Sequence, residues 1–153
     1  MIGEVKAVSK PLPRLLFGFD EEVSLWIAER MPVPVTLGGS RAIGVVDSNN
    51  NMMAGIAYYN HLPEFETIEL SFASDNPMWA RKENIRALLS YPFEQLNVFK
   101  CWISIPSDNA RSLKTTDHIG FKHEATMRHQ FGKGKHAILK RMFKPEFEKL
   151  YRS

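Results

Sequence analysis

A chain of 153 residues with 44% hydrophobic and 24% charged side chains has the size that buries one core, and it calls for no second domain. A formal net charge of +3 gives no ground for nucleic-acid binding by itself, although it suits a phosphorylated ligand. The single cysteine, Cys101, cannot close an internal disulfide, no apolar run approaches the roughly 20 residues of a membrane span, and the N-terminus shows no signal-peptide core, so a soluble cytoplasmic protein is expected.

Residues 4–8 read as a short strand or a loose end, and Leu15-Leu16-Phe17 as a buried strand stopping at Gly18. Asp20 is a candidate N-cap, with Val23, Trp26, Ile27 and Met31 on one face of the helix that follows, which Pro32 and Pro34 end. A hairpin comes next: 42–46, a polar turn at 47–51, and 52–59 as the return strand. Residues 67–73 alternate less regularly and suit a central strand covered on both faces. Pro77 then stands where a helix begins.

Residues 78–96 place Ile85, Leu88, Leu89, Phe93 and Leu96 on one face, a spacing that helical periodicity explains. Pro92 lacks a backbone donor and clashes with the carbonyl of Leu88, so the last turn is expected to kink or the regular helix to end there. Residues 98–105 form a further buried strand, joined to 67–73 by a βαβ crossover. Inside it the Cys101 thiol is a poor nucleophile, because burial raises its pKa. Asp108 or Asn109 can cap the next helix, and Gly120 can take the left-handed conformation that closes it. Residues 124–131, a turn at 132–134 and 136–142 make a last hairpin, where His129 and His136 fit exposed strand positions rather than a metal site. Phe147, Leu150 and Tyr151 suit a short C-terminal helix on the sheet edge.

The stretch 109–128 reads N-A-R-S-L-K-T-T-D-H-I-G-F-K-H-E-A-T-M-R. An N-x-x-S segment opens a helix, the helix stops at Gly120-Phe121, and a strand carrying Glu124 and Arg128 follows. With the order strand, helix, hairpin, strand, helix, strand, helix, hairpin over about residues 15–142, the chain resembles the GNAT superfamily of acetyl-CoA-dependent N-acetyltransferases. Trp79-Ala80-Arg81 and Tyr91-Pro92-Phe93-Glu94-Gln95-Leu96 look most like the ribosomal-protein N-terminal acetyltransferase type and short phage-type members. The resemblance implies an α/β (α+β) fold in a single domain over 1–153: a mixed, mostly antiparallel sheet of six to seven strands flanked by about four helices. It also implies acetyl-CoA as cosubstrate and direct transfer of the acetyl group to a primary amine, on a protein N-terminus or a small molecule.

In such a fold pantetheine lies along the strand matching Glu69 to Ala73 and pairs with backbone groups of Phe72 and Ala73, while a main-chain donor among Leu70, Ser71 and Phe72 polarises the thioester carbonyl. The pyrophosphate sits on the next helix start, in a Q/R-x-x-G-x-G/A loop that corresponds here to Asn76-Pro77-Met78-Trp79-Ala80-Arg81. This loop departs from the pattern: Trp79 replaces the central glycine, Arg81 a small residue, and Asn76 the leading basic one. Trp79 is either part of the site or core packing beneath it. Arg81 and Lys82 put positive charge against the helix dipole, which an anionic ligand would justify and a solvated surface would also tolerate. Glu69 matches the strand where relatives often carry a glutamate that works as general base through a water, or else it pairs with a basic neighbour across the sheet. Thr116 stands where many relatives have a tyrosine general acid, and Ser112 is the remaining candidate to pass a proton to the thiolate. Asn109 would contact pantetheine, cap its helix, or both.

The damaged loop leaves an alternative open, a GNAT-fold binding module without catalysis or CoA. A nucleic-acid binder resting on Lys133, Lys135, Lys140 and Arg141 is argued against by the lack of interleaved aromatics. Metal binding is not expected, and a homodimer is compatible with the resemblance.

Overall fold

The computed structural model describes residues 13–32 and 37–152. The proposed segment 4–8 and Pro34 lie outside them.

Among the described residues thirteen elements follow one another. They are β1 (Arg14–Leu16), α1 (Asp20–Ala28), β2 (Arg41–Val46), β3 (Met52–Leu62), β4 (Thr67–Ser74), a 3-10 turn (Pro77–Ala80), α2 (Lys82–Ser90), a π-helical turn (Tyr91–Gln95), β5 (Lys100–Pro106), α3 (Ala110–Ile119), β6 (Lys122–Met127), β7 (Ala137–Phe143) and α4 (Lys144–Tyr151). The strands form one seven-stranded sheet in the order β1-β2-β3-β4-β5-β7-β6. Every pairing is antiparallel except β4 with β5. The expected mixed, mostly antiparallel sheet with four helices is what the chain adopts.

Side-chain alternation divides the core between the two faces of the sheet. On one face Val23 and Ile27 of α1 pack over Ala42 and Ala57. On the other, Ile56, Tyr58, Ile68, Leu70 and Ile103 meet α2 and α4, with Phe93 stacked on Phe147 at 4.9 Å between ring centres. The C-terminal helix therefore lies in the core rather than on the sheet edge, because Phe147 and Tyr151 are both buried there.

Local chemistry explains where elements stop. Residues 78–96 are not one helix but three pieces: the 3-10 turn, α2, and the π turn. Pro92 supplies no backbone donor, and the amide of Leu96 reaches the carbonyl of Tyr91 at 3.0 Å, one residue further than an α-helix allows. Asp20 is the first residue of α1 rather than its cap, and its carboxylate instead accepts from the amide of Ala42 at 2.8 Å, tying the helix to β2. Phe17, expected in a buried strand, follows β1 and is 62% exposed. The last hairpin is shorter than the pattern suggests: β6 runs over Lys122–Met127, and His129 and His136 fall in the loop, where the imidazole of each accepts a backbone N–H.

Asn109 caps α3 through its side chain, as its position implies, and Gly120 closes the helix with φ +118°. Its amide and that of Phe121 both donate to the carbonyl of Thr116. An L side chain at this φ is strained, and a Cβ there would also approach Leu150 Cδ1 to 2.5 Å. Gly120→Ala should cost about 1–3 kcal/mol in thermal or urea unfolding. Adding Leu150→Ala should not recover that loss, since the flexible leucine can yield and the backbone cannot; full recovery would place the cost in the side-chain clash instead.

Candidate active site

The two central strands part company. β4 and β5 pair from Thr67/Lys100 to Leu70/Ile103 and no further. Beyond that point β4 stays bonded to β3 as far as Ser74, and β5 to β7 as far as Pro106. Each strand is held on its outer side and released on its inner side, so a wedge opens in the middle of the sheet.

A cleft of about 410 Å³ occupies this wedge, lined by Ser71, Phe72 and Ala73 of β4, Ser104 of β5, and Asn109 and Ser112 of α3. These come from two sequence regions, 71–73 and 104–112, that the resemblance had linked only by analogy. The inner edge of β4 past Leu70 has no partner strand, so its main-chain groups face the cleft, the arrangement an extended ligand needs in order to add as a further strand.

Helix α3 presents its N-terminal turn to the cleft. The amide of Ser112 donates to Asn109 Oδ1 at 3.2 Å, which fixes the first turn and leaves the Ser112 hydroxyl on the cleft wall. Thr116, the position of the missing tyrosine, is fully buried, and its hydroxyl donates to the carbonyls of Ser112 (2.8 Å) and Leu113 (3.1 Å). It has no access to a leaving group. Lys140 reaches the same place from β7, donating to Leu113 O (2.8 Å), Thr116 Oγ1 (2.9 Å) and Asp117 Oδ1 (2.6 Å). Read from sequence as part of a basic surface, Lys140 is buried and serves as the tether of α3 to the sheet. Arg141 is likewise committed, to Glu124 and Glu146.

Glu69 projects from β4 on the α1 face. Its Oε1 accepts from Asn60 Nδ2 at 2.7 Å and its Oε2 from the Tyr59 hydroxyl at 3.3 Å, while that hydroxyl also contacts Ser71 Oγ. No basic side chain pairs with it among the described residues, which removes the cross-sheet ion pair as an explanation for this carboxylate. Burial raises its pKa above the ordinary 4.5, outweighing the hydrogen bonds from Asn60 and Tyr59 that act the other way. Burial also pushes the Tyr59 hydroxyl up to about 12, so it stays a proton donor at neutral pH. Glu69, Tyr59 and Trp102 line a second pocket of about 340 Å³ on this face, which shares Met31, Ser71, Ser104 and Pro106 with the cleft. The two spaces adjoin through the wedge. Tyr59 and Trp102 escape the sequence pattern, although the β3–β4 hairpin register pairs Tyr59 directly with Glu69.

The loop after β4 departs from the glycine-rich pattern in structure as well as in sequence. Trp79 is 3% exposed and packs on Phe72 at 5.5 Å between ring centres, so of the two uses the sequence left open its side chain has the core one. Asn76 caps the 3-10 turn by accepting from the amide of Met78 at 2.9 Å. Ala80 follows Trp79, partly buried, and Arg81 and Lys82 flank the first turn of α2 with no ion-pair partner among the described residues. Arg111, which the pattern does not single out, lines the cleft and bridges it, its guanidinium donating to Ser74 O and reaching Ser74 Oγ, both at 3.3 Å. Among the described residues no group of three or more His, Cys, Asp or Glu side chains is placed to hold a metal, and no helix is long and apolar enough to cross a membrane.

A parted β4/β5 pair with a capped helix across its mouth is the GNAT fold, and solved structures of that fold are what the chain resembles. One is a single-residue variant of the spermidine N-acetyltransferase SpeG from Vibrio cholerae, with a TM-score of 0.74 at 13% identity over 89% of this chain and 96% of that one. The same organism's spermidine N-acetyltransferase in complex with CoA and spermine gives 0.63 at 16% identity over 72% and 69%, and its dodecameric form in an intermediate state gives 0.63 at 18% over 76% and 70%. No family model matches the sequence, and no curated protein matches it either.

Because burial favours the protonated form of Glu69, a role as base requires pH above its raised pKa. If the chain transfers an acyl group to an amine, as the resemblance implies, the rate should therefore climb with pH through an acid limb whose midpoint lies above 4.5. Glu69→Gln should abolish that limb and lower the rate at neutral pH by about 10²-fold to 10⁴-fold. A variant that keeps both limb and rate would make Glu69 a structural residue.

Proposed function

We propose that this chain is an acetyl-CoA-dependent N-acetyltransferase that moves the acetyl group directly to a primary amine. The observation that carries it is the wedge between β4 and β5, open on one side to Asn109 and Ser112 and adjoining on the other the pocket of Glu69. A thioester is already activated, so the protein's task is to hold its carbonyl beside the amine and to meet the developing oxyanion with a fixed donor.

The roles are those the resemblance implies, assigned to the residues that line the cleft and the pocket. Backbone groups of Phe72 and Ala73 pair with the pantetheine arm, and a main-chain N–H among Leu70, Ser71 and Phe72 meets the carbonyl oxygen. Glu69, through a water, takes the proton that the ammonium must lose. The amine nitrogen bonds to the acetyl carbon, the carbon–sulfur bond breaks as the oxyanion collapses, the nitrogen sheds its second proton to solvent, and the Ser112 hydroxyl passes a proton to the departing thiolate and recovers one from solvent. Asn109 holds the α3 turn that presents Ser112. Asn76, Trp79, Ala80, Arg81 and Lys82 form the diphosphate end: Trp79 supports the loop from below, while Arg81, Lys82 and the α2 amides supply positive potential.

A small-molecule amine suits the fold neighbours, whose names give spermidine as the acceptor. Trp79 and Phe93, from the two segments that look like the ribosomal-protein type, both lie in the core and so carry no information about the acceptor. A binding module that has lost catalysis or CoA binding is the alternative, favoured by the loop that lacks its glycines.

Thermal unfolding with and without cofactor separates these outcomes. CoA or acetyl-CoA at a hundred times its Kd should add about 2.7 kcal/mol to stability and raise Tm. A shift accompanied by acetylation of an amine supports the enzyme, a shift without turnover for any amine supports a module that keeps CoA but not catalysis, and no shift at millimolar CoA refutes the enzyme.

A further inference from the structure

The pocket on the α1 face says what kind of amine it takes, granted the acyl-transfer reading above. Among the described residues that line it Glu69 is the one carboxylate, and most of the wall is apolar: Trp102, Phe131, Met127, Leu139 and Met31. Glu124 lies in an adjoining hollow that shares Trp102 and Leu139 and is neutralised by Lys100 at 3.0 Å and Arg141 at 3.5 Å, and Asp108 lines the cleft rather than this pocket. Asp75, beside the cleft, is held by Arg30 at 3.0 Å.

A polyamine carries two or more ammonium groups, and each one taken from water needs an anion or several acceptors to replace its hydration. This pocket offers one such place. Its aromatic and aliphatic wall instead rewards an apolar body next to a single positive charge, through burial of area and through contact of the cation with the indole face of Trp102. We propose that the acceptor is a monoamine, a single primary ammonium received at Glu69 and carried on a compact aromatic or aliphatic group seated against Trp102 and Phe131. The chain thus differs in acceptor class from the spermidine acetyltransferases whose fold it shares.

The test begins with acetyl-CoA binding by calorimetry, then compares kcat/KM for 2-phenylethylamine, spermidine and a short peptide with a free α-amine. The expected order places 2-phenylethylamine above both others by about tenfold or more, a difference of roughly 1.4 kcal/mol. Trp102→Ala should raise KM for 2-phenylethylamine by about tenfold, within the range of a desolvated cation–aromatic contact, and leave the CoA Kd unchanged. Met127→Glu, at a position 41% exposed and so tolerant of a charge, should shift the preference toward spermidine by supplying a second carboxylate. Faster acetylation of spermidine or of the peptide by the unaltered protein overturns the proposal, as does acetyl-CoA binding with no acetylation of any of the three. Failure to bind acetyl-CoA overturns the acyl-transfer reading itself, and the acceptor proposal falls with it.

Discussion

The end of the β4–β5 ladder at Leu70 and Ile103 is the constraint on which the site depends. A parallel pair in the middle of a sheet would ordinarily continue for the full length of its strands, burying its backbone groups against one another. Here the outer pairings win. β3 holds β4 through Ser74 and β7 holds β5 through Pro106, so the two halves of the sheet follow their own courses and the inner edges are left bare. Pro106, without a backbone donor, could not extend the ladder in any case. Side chains replace the lost pairing as support: Phe72 rests on Trp79 beneath the open half of β4, and Lys140 fixes α3 across the mouth with three hydrogen bonds.

Alternation along β4 turns one opening into two chemically different spaces. Leu70 and Phe72 face the α2 side, and Glu69 and Ser71 face α1, so a ligand lying along the strand meets main chain in the cleft and a polar group on the far side. The polar group is itself prepared. Asn60 and Tyr59 hold the Glu69 carboxylate in place, and burial keeps it more basic than a solvated glutamate, the direction a general base near neutral pH needs. Tyr59 keeps its proton under the same conditions and donates it toward the Glu69 carboxylate.

Sequence patterning reveals the order of elements and the two ends of α3, because Asn109 and Gly120 act through local backbone chemistry that a short window contains. It also places the break at Pro92, for the same reason. Long-range contacts are what it misses. Nothing near Lys140 in the chain signals that its ammonium will be buried under α3, nothing near Asp20 shows that its carboxylate will bond to β2 instead of its own helix, and nothing near Trp79 decides between loop and core. Within the candidate site, Glu69 and Ser112 are suggested by their positions in the GNAT order, whereas Tyr59, Trp102 and Arg111 become visible only once register and the parting of β4 from β5 bring them to the same openings.

Hydrogen–deuterium exchange on the intact protein, with and without CoA, tests the central claim most directly, because it reads the bare edge of β4 itself. If the wedge is the cofactor site, peptides spanning Ser71, Phe72 and Ala73, together with the first turn of α3 at Asn109 to Ser112, should gain protection on CoA addition while β1 and β2 do not change. Bound CoA that protects some other part of the molecule and leaves this edge exchanging as before would contradict it.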